Sequence, residues 1–489
     1  MKKSLFLLFL FCSTATLTAQ VPWQFENDVL GYTYQSIDQP PVPGCTLFVG
    51  SSSFLLWRDL ETVFAEYEAV NRGFGGSTFP DNLRAVERIH LPAHPARVVI
   101  FCGTNDIAGG AAANTVFNNF KFYIARIWNE HPAAEIYFVS VTHAPVREKF
   151  WAIGDELCTK VKELAEKVKG LFYIDIISPM NDENSRVREN LFVADRLHLN
   201  ADGYRIWEKA IKESLVAQDK NRQKLNLAEL HENRKSAGLF DDPRFAEQKI
   251  TLRDDSKPVK KLNIIFIGDS ITASAGIPAV EDHPAHRCAN YLIVNGFPNV
   301  AYTICGVNGS TTLDFLPGGD QYKYVTDCAD GGKEDKETEL IFSMMFGTND
   351  SAAQGPNGAP VSPENYRRNL KTIVDKLLTD YPAAKIVIHR PIWCGPTAQS
   401  PSSYILEEQL RLRSYFPEID ALVNYYAHSS AKEQVFLGDG NAFHYFRTNS
   451  EKMFVPEKGE AGLIFLHPNN RGADALGRFW GAAIMQVLL

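Results

Sequence analysis

Short apolar runs and longer amphipathic stretches take turns along this chain, and the whole series occurs twice. In the first half, residues 46–49, 97–102, 134–141 and 171–176 are dense in Val, Ile, Leu and Phe. Runs of that length, with no polar residue at every second place, predict strands buried on both faces. Between them, 54–69, 114–130 and 156–169 carry apolar residues close to helical spacing, for example Leu55, Leu56, Leu60, Val63 and Phe64. A Gly-rich segment at 71–78 reads as a turn, and a last helix runs through Trp207. Strands and helices in alternation predict a parallel sheet wrapped by helices.

The series restarts at 264–267, four apolar residues rich in Ile, and continues with strands predicted at 301–306, 340–346 and 385–389. Helices are predicted over 286–295, 363–381 and 474–489. Matched features in matched order mark an internal duplication of an α/β unit of roughly 200 residues. The stretch 216–261 is charged and weakly periodic, and reads as a connector with short helices and no core strand, able to pack on either unit. The predicted division is a signal peptide at 1–19, a first domain at 20–215, a linker at 216–261 and a second domain at 262–489.

Composition changes the picture at the N-terminus. Lys2 and Lys3 precede an apolar run at 5–11 that is too short to span a bilayer, and Thr18-Ala19 before Gln20 supplies a cleavage site with a small last residue. This pattern predicts a secreted or periplasmic protein without a membrane span. The net charge of -8 is spread along the chain with no basic stripe, which argues against nucleic acid or an anionic membrane as partner. Of eight cysteines, Cys12 lies in the leader and the rest are scattered and odd in number, so no disulfide framework is implied. His283, His286 and Cys288 lie close together, but Pro284 disfavours a helix carrying both histidines and no second cluster completes a metal site. No metal is therefore expected there, and neither a P-loop nor a dinucleotide fingerprint occurs.

Each half places the same polar features at the ends of its predicted strands. The first strand is followed by Gly50-Ser51-Ser52-Ser53, and its counterpart by Gly268-Asp269-Ser270. Gly76 and Gly309 then occupy Gly-rich turns, Asn105 and Asn349 stand in two copies of GTND, and His198 and His467 precede the last helices. A serine at the carboxyl end of a strand is where open α/β sheets keep their chemistry, although the same hydroxyl is also a good helix cap. Acyl transfer needs a nucleophile, a base and donors for the oxyanion. Ser52 and Ser270 are the candidate nucleophiles. His198 and His467 are the candidate bases, since an imidazole with its ordinary pKa of about 6.5 suits that work. The candidate oxyanion donors are the N–H groups of each serine and of Gly76 or Gly309, with the amide of Asn105 or Asn349.

These blocks resemble the SGNH, or GDSL-like, hydrolase family, over nearly all of both halves. The resemblance implies two flavodoxin-like α/β domains, a serine esterase working through an acyl-enzyme, and no cofactor. The family closes on DxxH, in which the Asp orients the His. The first half keeps this block as Asp195-Arg196-Leu197-His198, but its opening block has Ser51 at the usual place of the Asp. The second half keeps the opening block and loses the acid. Ile464 stands three before His467, which leaves Glu460 and Asp439 as candidates. From GDSITASAG through GTNDSAAQGPNGAPVSPENY, HRPIW and FLHPN, the second half is also similar to secreted bacterial SGNH proteins linked to sialate O-acetylesterases. That similarity implies an acetylated glycan or small ester as substrate, sialic acids among them, with Arg390, Trp393, Asn357 and Asn308 as candidate contacts. Two other readings stay open: a lipid esterase or thioesterase of the same fold, and one domain kept as a non-catalytic glycan-binding module.

Overall fold

The computed structural model describes residues 23–221, 226–253, 261–331, 337–353, 355, 357–396, 403–459 and 462–488; the stretch 1–19 expected to be a signal peptide and Glu460 lie outside them. In the first domain β1 (Thr46–Gly50), β2 (Ala69–Gly73), β3 (Arg97–Phe101), β4 (Glu135–Val139) and β5 (Leu171–Ile174) form one sheet in the order β2-β1-β3-β4-β5. Every pairing in it is parallel. All residues of β1 and β4 are buried, which is the physical reason for their unbroken apolar runs.

The second domain repeats the plan with β6 (Lys261–Gly268), β7 (Val300–Gly306), β8 (Thr338–Met345) and β9 (Lys385–Ile388). After the short β10 (Gly395–Pro396) comes β11 (Val435–Leu437), and the sheet order is β11-β9-β8-β6-β7. Counted within its own domain this is the first sheet's order, the flavodoxin-like one. The second domain adds a small antiparallel sheet, in which β13 (Gly462–Pro468) lies between β10 and β12 (Phe454–Gly459).

The structure departs from the sequence pattern at 54–69. The expected helix is three short pieces, Ser52–Leu55, Leu60–Val63 and the 3-10 turn Ala65–Tyr67, and β2 begins directly after them. Glu68 is left-handed, with φ 52°, which ends the helical path. Ala69 to Gly73 then pair residue for residue with β1, and the Asn71 amide donates to the Phe54 carbonyl at 2.7 Å. Pairing with a buried strand outweighs the local periodicity.

The segment expected to be a linker packs on the first domain. The helix Ala201–Asn221 runs well past Trp207, and two further helices follow, Leu227–Ser236 and Arg244–Glu247. Leu239 and Phe245 join the first domain's core. Buried Arg234 lies 3.9 Å from the Trp128 ring and donates to the Pro132 carbonyl at 2.6 Å. Few of its residues are buried, hence the weak pattern. The domains touch each other through Arg478, which donates to Glu68 at 2.5 Å, and through Arg447, which pairs with Asp38 at 2.8 Å.

Gly50 ends β1 at φ 132°, and a Cβ there would lie 1.9 Å from the Phe101 carbonyl oxygen. That oxygen accepts from the Ser51 N–H at 3.1 Å, so no shift relieves the clash without breaking the turn. Gly50→Ala is expected to cost more than about 3 kcal/mol, lowering the first domain's Tm by about 6–12 °C in a calorimetric scan.

Candidate active sites

β1 and β3 leave the first sheet at its topological switch point, where the crossovers on either side run to opposite faces and open a crevice beyond the strand ends. β1 delivers Ser52 there and β3 delivers Asn105. In the second domain β6 and β8 deliver Ser270 and Asn349 in the same way.

In the first domain the Ser52 hydroxyl donates to His198 Nε2 at 2.8 Å, and His198 Nδ1 donates to Asp195 at 2.6 Å. The other Asp195 oxygen accepts from the backbone N–H groups of Leu197 and His198, at 2.8 and 2.9 Å, so the tight turn itself aims the carboxylate. Desolvation is the largest single influence and opposes the charge, but the His198 backbone and imidazole donors and the Leu197 N–H together outweigh it and hold the Asp195 pKa down to about 2. The acid therefore stays ionised over any ordinary working range. Gly76 adopts φ 78°, while Gly75 does not need a left-handed backbone. Asn105 spends one amide N–H on the Ser77 carbonyl at 3.0 Å, and its oxygen accepts from Arg147 at 2.7 Å.

In the second domain the Ser270 hydroxyl donates to His467 Nε2 at 2.9 Å. His467 Nδ1 meets both oxygens of Glu457, at 2.9 and 3.0 Å, and the His467 backbone N–H donates to the same carboxylate at 3.0 Å. Asp439, one of the two acids suggested by the sequence, does not fill this place. Asp439 is buried and accepts from the N–H groups of Asn441 and Ala442, capping the helix Ala442–Thr448. Glu460 lies outside the described residues. Glu457 reaches His467 because β12 pairs with β13, and its register partner is Ile464, the residue standing where the family's Asp would be. The carboxylate has moved from the same strand to the strand beside it. The one signal for it in the sequence is the hairpin register, which requires β12 to be recognised first.

Asn349 copies Asn105, donating to the Ser310 carbonyl at 3.0 Å, and Gly309 copies Gly76 with φ 74°. Asp350 locks these two turns together: one oxygen accepts from the Thr312 N–H at 2.9 Å and hydroxyl at 2.6 Å. Burial pushes its pKa up to about 6 against those donors. Asp106 holds the corresponding turn through the Phe79 N–H at 3.1 Å.

The proposed substrate contacts have structural partners. Arg390 pairs with both Asp420 oxygens at 2.7 Å and lines a cavity of about 440 Å³ between the domains, whose lining includes neither Ser270 nor His467. Trp393 is buried against Phe454 and Phe465, under the hairpin that carries Glu457 and His467. Asn357 donates to Asp314 at 3.0 Å and accepts from Thr311 through its carbonyl, bracing the Gly309 turn from an exposed position. His283 and His286 bond separately, to the Ile277 carbonyl and the Tyr302 hydroxyl, and among the described residues no group of three His, Cys, Asp or Glu gathers to hold a metal.

Residues 45–206 and 266–475 each match the sequence profile of the GDSL-like Lipase/Acylhydrolase family. No curated protein matches the chain. Among solved structures, a GDSL-like lipase from Bacteroides thetaiotaomicron is 22% identical, with 39% of this chain and 98% of that one covered and a TM-score of 0.32. A carbohydrate acetylesterase from Sinorhizobium meliloti is 16% identical over 46% of this chain and 99% of its own, with a TM-score of 0.32. A carbohydrate esterase family 3 protein from Talaromyces cellulolyticus is 13% identical over 37% of this chain and 100% of its own, with a TM-score of 0.31.

Proposed function

This chain belongs to the GDSL-like lipase/acylhydrolase family, and from its two sites we propose a secreted or periplasmic tandem serine esterase that removes O-acetyl groups from carbohydrates, sialic acids among the candidates. One observation carries the esterase reading: each domain holds a hydroxyl, an imidazole and a carboxylate in one hydrogen-bonded line. In the proposed reaction His198 or His467 takes the serine proton through Nε2 while Oγ bonds to the ester carbonyl carbon. The carbonyl oxygen becomes an oxyanion facing the serine and glycine N–H groups and the free N–H of Asn105 or Asn349. Collapse breaks the ester bond, and the histidine returns its proton to the departing sugar hydroxyl. Water then attacks the acyl-serine with the same histidine as base, and acetate leaves.

Support for a small acyl group on a polar carrier comes from the segment after β4 and the start of the helix that follows it. The segment after β4 that reaches Asn105 also carries His143, stacked on Trp151 with ring centroids 4.7 Å apart and donating to Asp155 at 2.7 Å. An aromatic face beside polar groups suits a sugar; a long acyl chain requires a continuous apolar groove. A series of nitrophenyl esters from acetyl to octanoyl, together with acetate release from a panel of acetylated glycans, tests this. Turnover is expected to be highest on acetyl esters and to fall with chain length. A rise toward octanoyl would transfer the reading to a lipid esterase.

A further inference from the structure

The first site contains a cation that no carboxylate among the described residues neutralises. Arg147 sits in the 3-10 turn Pro145–Phe150, which follows β4. One guanidinium nitrogen, Nη2, donates to Asn105 Oδ1 at 2.7 Å, while Nη1 is buried without a hydrogen-bond partner. Among the described residues no carboxylate pairs with it, and burial alone lowers its pKa. Withdrawing a cation from water without a counter-charge is unfavourable, so a resting site of this kind is set up for an anion that appears later. In the esterase reading Asn105 is the side-chain donor to that anion, through the N–H that Ser77 leaves unused. The Val146 N–H donates to the Arg196 carbonyl at 3.2 Å, which ties the same turn to the segment carrying Asp195 and His198.

The second site is built differently. Asn349 makes the matching bond to the Ser310 carbonyl, yet the arginine that follows β9, Arg390, is neutralised by Asp420 at 2.7 Å. Arg411 goes to the Ser351 carbonyl and not to the Asn349 side chain.

We propose that Arg147 is a positioning residue that charges the first oxyanion hole, resting on the esterase reading above. Its Nη2 bond to Oδ1 fixes which edge of the Asn105 amide points at the substrate and polarises that amide's N–H. Its positive charge, uncompensated at rest, gains a partner as negative charge develops on the carbonyl oxygen. An interaction that strengthens only in the transition state raises kcat and leaves substrate binding nearly unchanged. The two domains then differ in how they stabilise the same intermediate.

The test uses the full chain carrying Ser270→Ala, so that turnover comes from the first site. Arg147→Gln is expected to lower kcat on nitrophenyl acetate by about 10²-fold while KM moves less than about 2-fold. Phenylboronic acid, which forms a tetrahedral anion on Ser52 Oγ, should bind more weakly by a similar factor. Arg147→Lys, which keeps the charge and loses the fork, should recover part of both. An unchanged kcat, a loss confined to KM, or a kcat loss with boronate binding intact would each overturn the proposal. If the Ser270→Ala chain neither turns over nitrophenyl acetate nor binds the boronate with Arg147 in place, the esterase reading of the first site fails and takes the proposal with it.

Discussion

A chain carrying both Ser52→Ala and Ser270→Ala is expected to lose ester hydrolysis by at least about 10⁴-fold, measured as acetate release at saturating substrate. The two serines are the hydroxyls bonded to His198 and His467, at 2.8 and 2.9 Å, and removal of Oγ leaves each imidazole nothing to activate. Each single variant should retain the rate of the other site, and the two residual rates should sum to that of the unmodified chain if the sites act independently. Residual hydrolysis in the double variant would come from the oxyanion donors acting on water. Full activity there would overturn the serine mechanism at both sites. If Ser270→Ala alone abolished turnover, the first domain would be left with binding as its role.

Glu457→Gln, made in the Ser52→Ala chain, is expected to lower kcat by about 10³-fold or more with little change in KM. Glutamine keeps the size of the side chain and changes what it offers to His467. The carboxylate accepts from Nδ1 through both oxygens and from the His467 backbone N–H, so it sets the tautomer that leaves Nε2 free for Ser270. An amide can present its own N–H to Nδ1, which stabilises the wrong tautomer, and it carries no charge to meet the imidazolium. Asp195→Asn in the Ser270→Ala chain is the matched experiment, because the same role is filled there from three residues away on a turn. Comparable losses at the two sites would show that a carboxylate borrowed from the next strand serves as well as one on the same turn. An unchanged rate for Glu457→Gln would mean that Ser270 and His467 work as a pair.

The polar features at strand ends are local: a serine two residues past β1, an asparagine in each GTND, a histidine ahead of each last helix. Their places follow from apolar runs long enough to be buried strands, and the structure brings each set together within hydrogen-bond distance or on adjoining turns. Arg147 and Glu457 are not legible in that way. Arg147 lies on the segment after β4, an irregular turn with no periodicity to place it, and its contact with Asn105 spans 42 residues. Trp393 and Arg390, an aromatic and a cation after a strand, read in the sequence as ligand contacts; the structure gives them the partners Phe454, Phe465 and Asp420, which no local pattern announces.

That this protein is a duplicated α/β chain, with a serine after the first strand of each unit, is written in its residues. Strand burial, turn chemistry and the order of the blocks are written in near neighbours, where the chain's own spacing leaves little choice. Tertiary structure alone decided what orients His467. The same-strand acid is absent, and its replacement comes from β12, whose alignment with β13 depends on hairpin register and not on separation along the chain. The stretch from Ile264 to Ser270 needed only its own residues to become a strand and a turn. It needed a second, small sheet, packed on Trp393, to bring a correctly held imidazole to its hydroxyl.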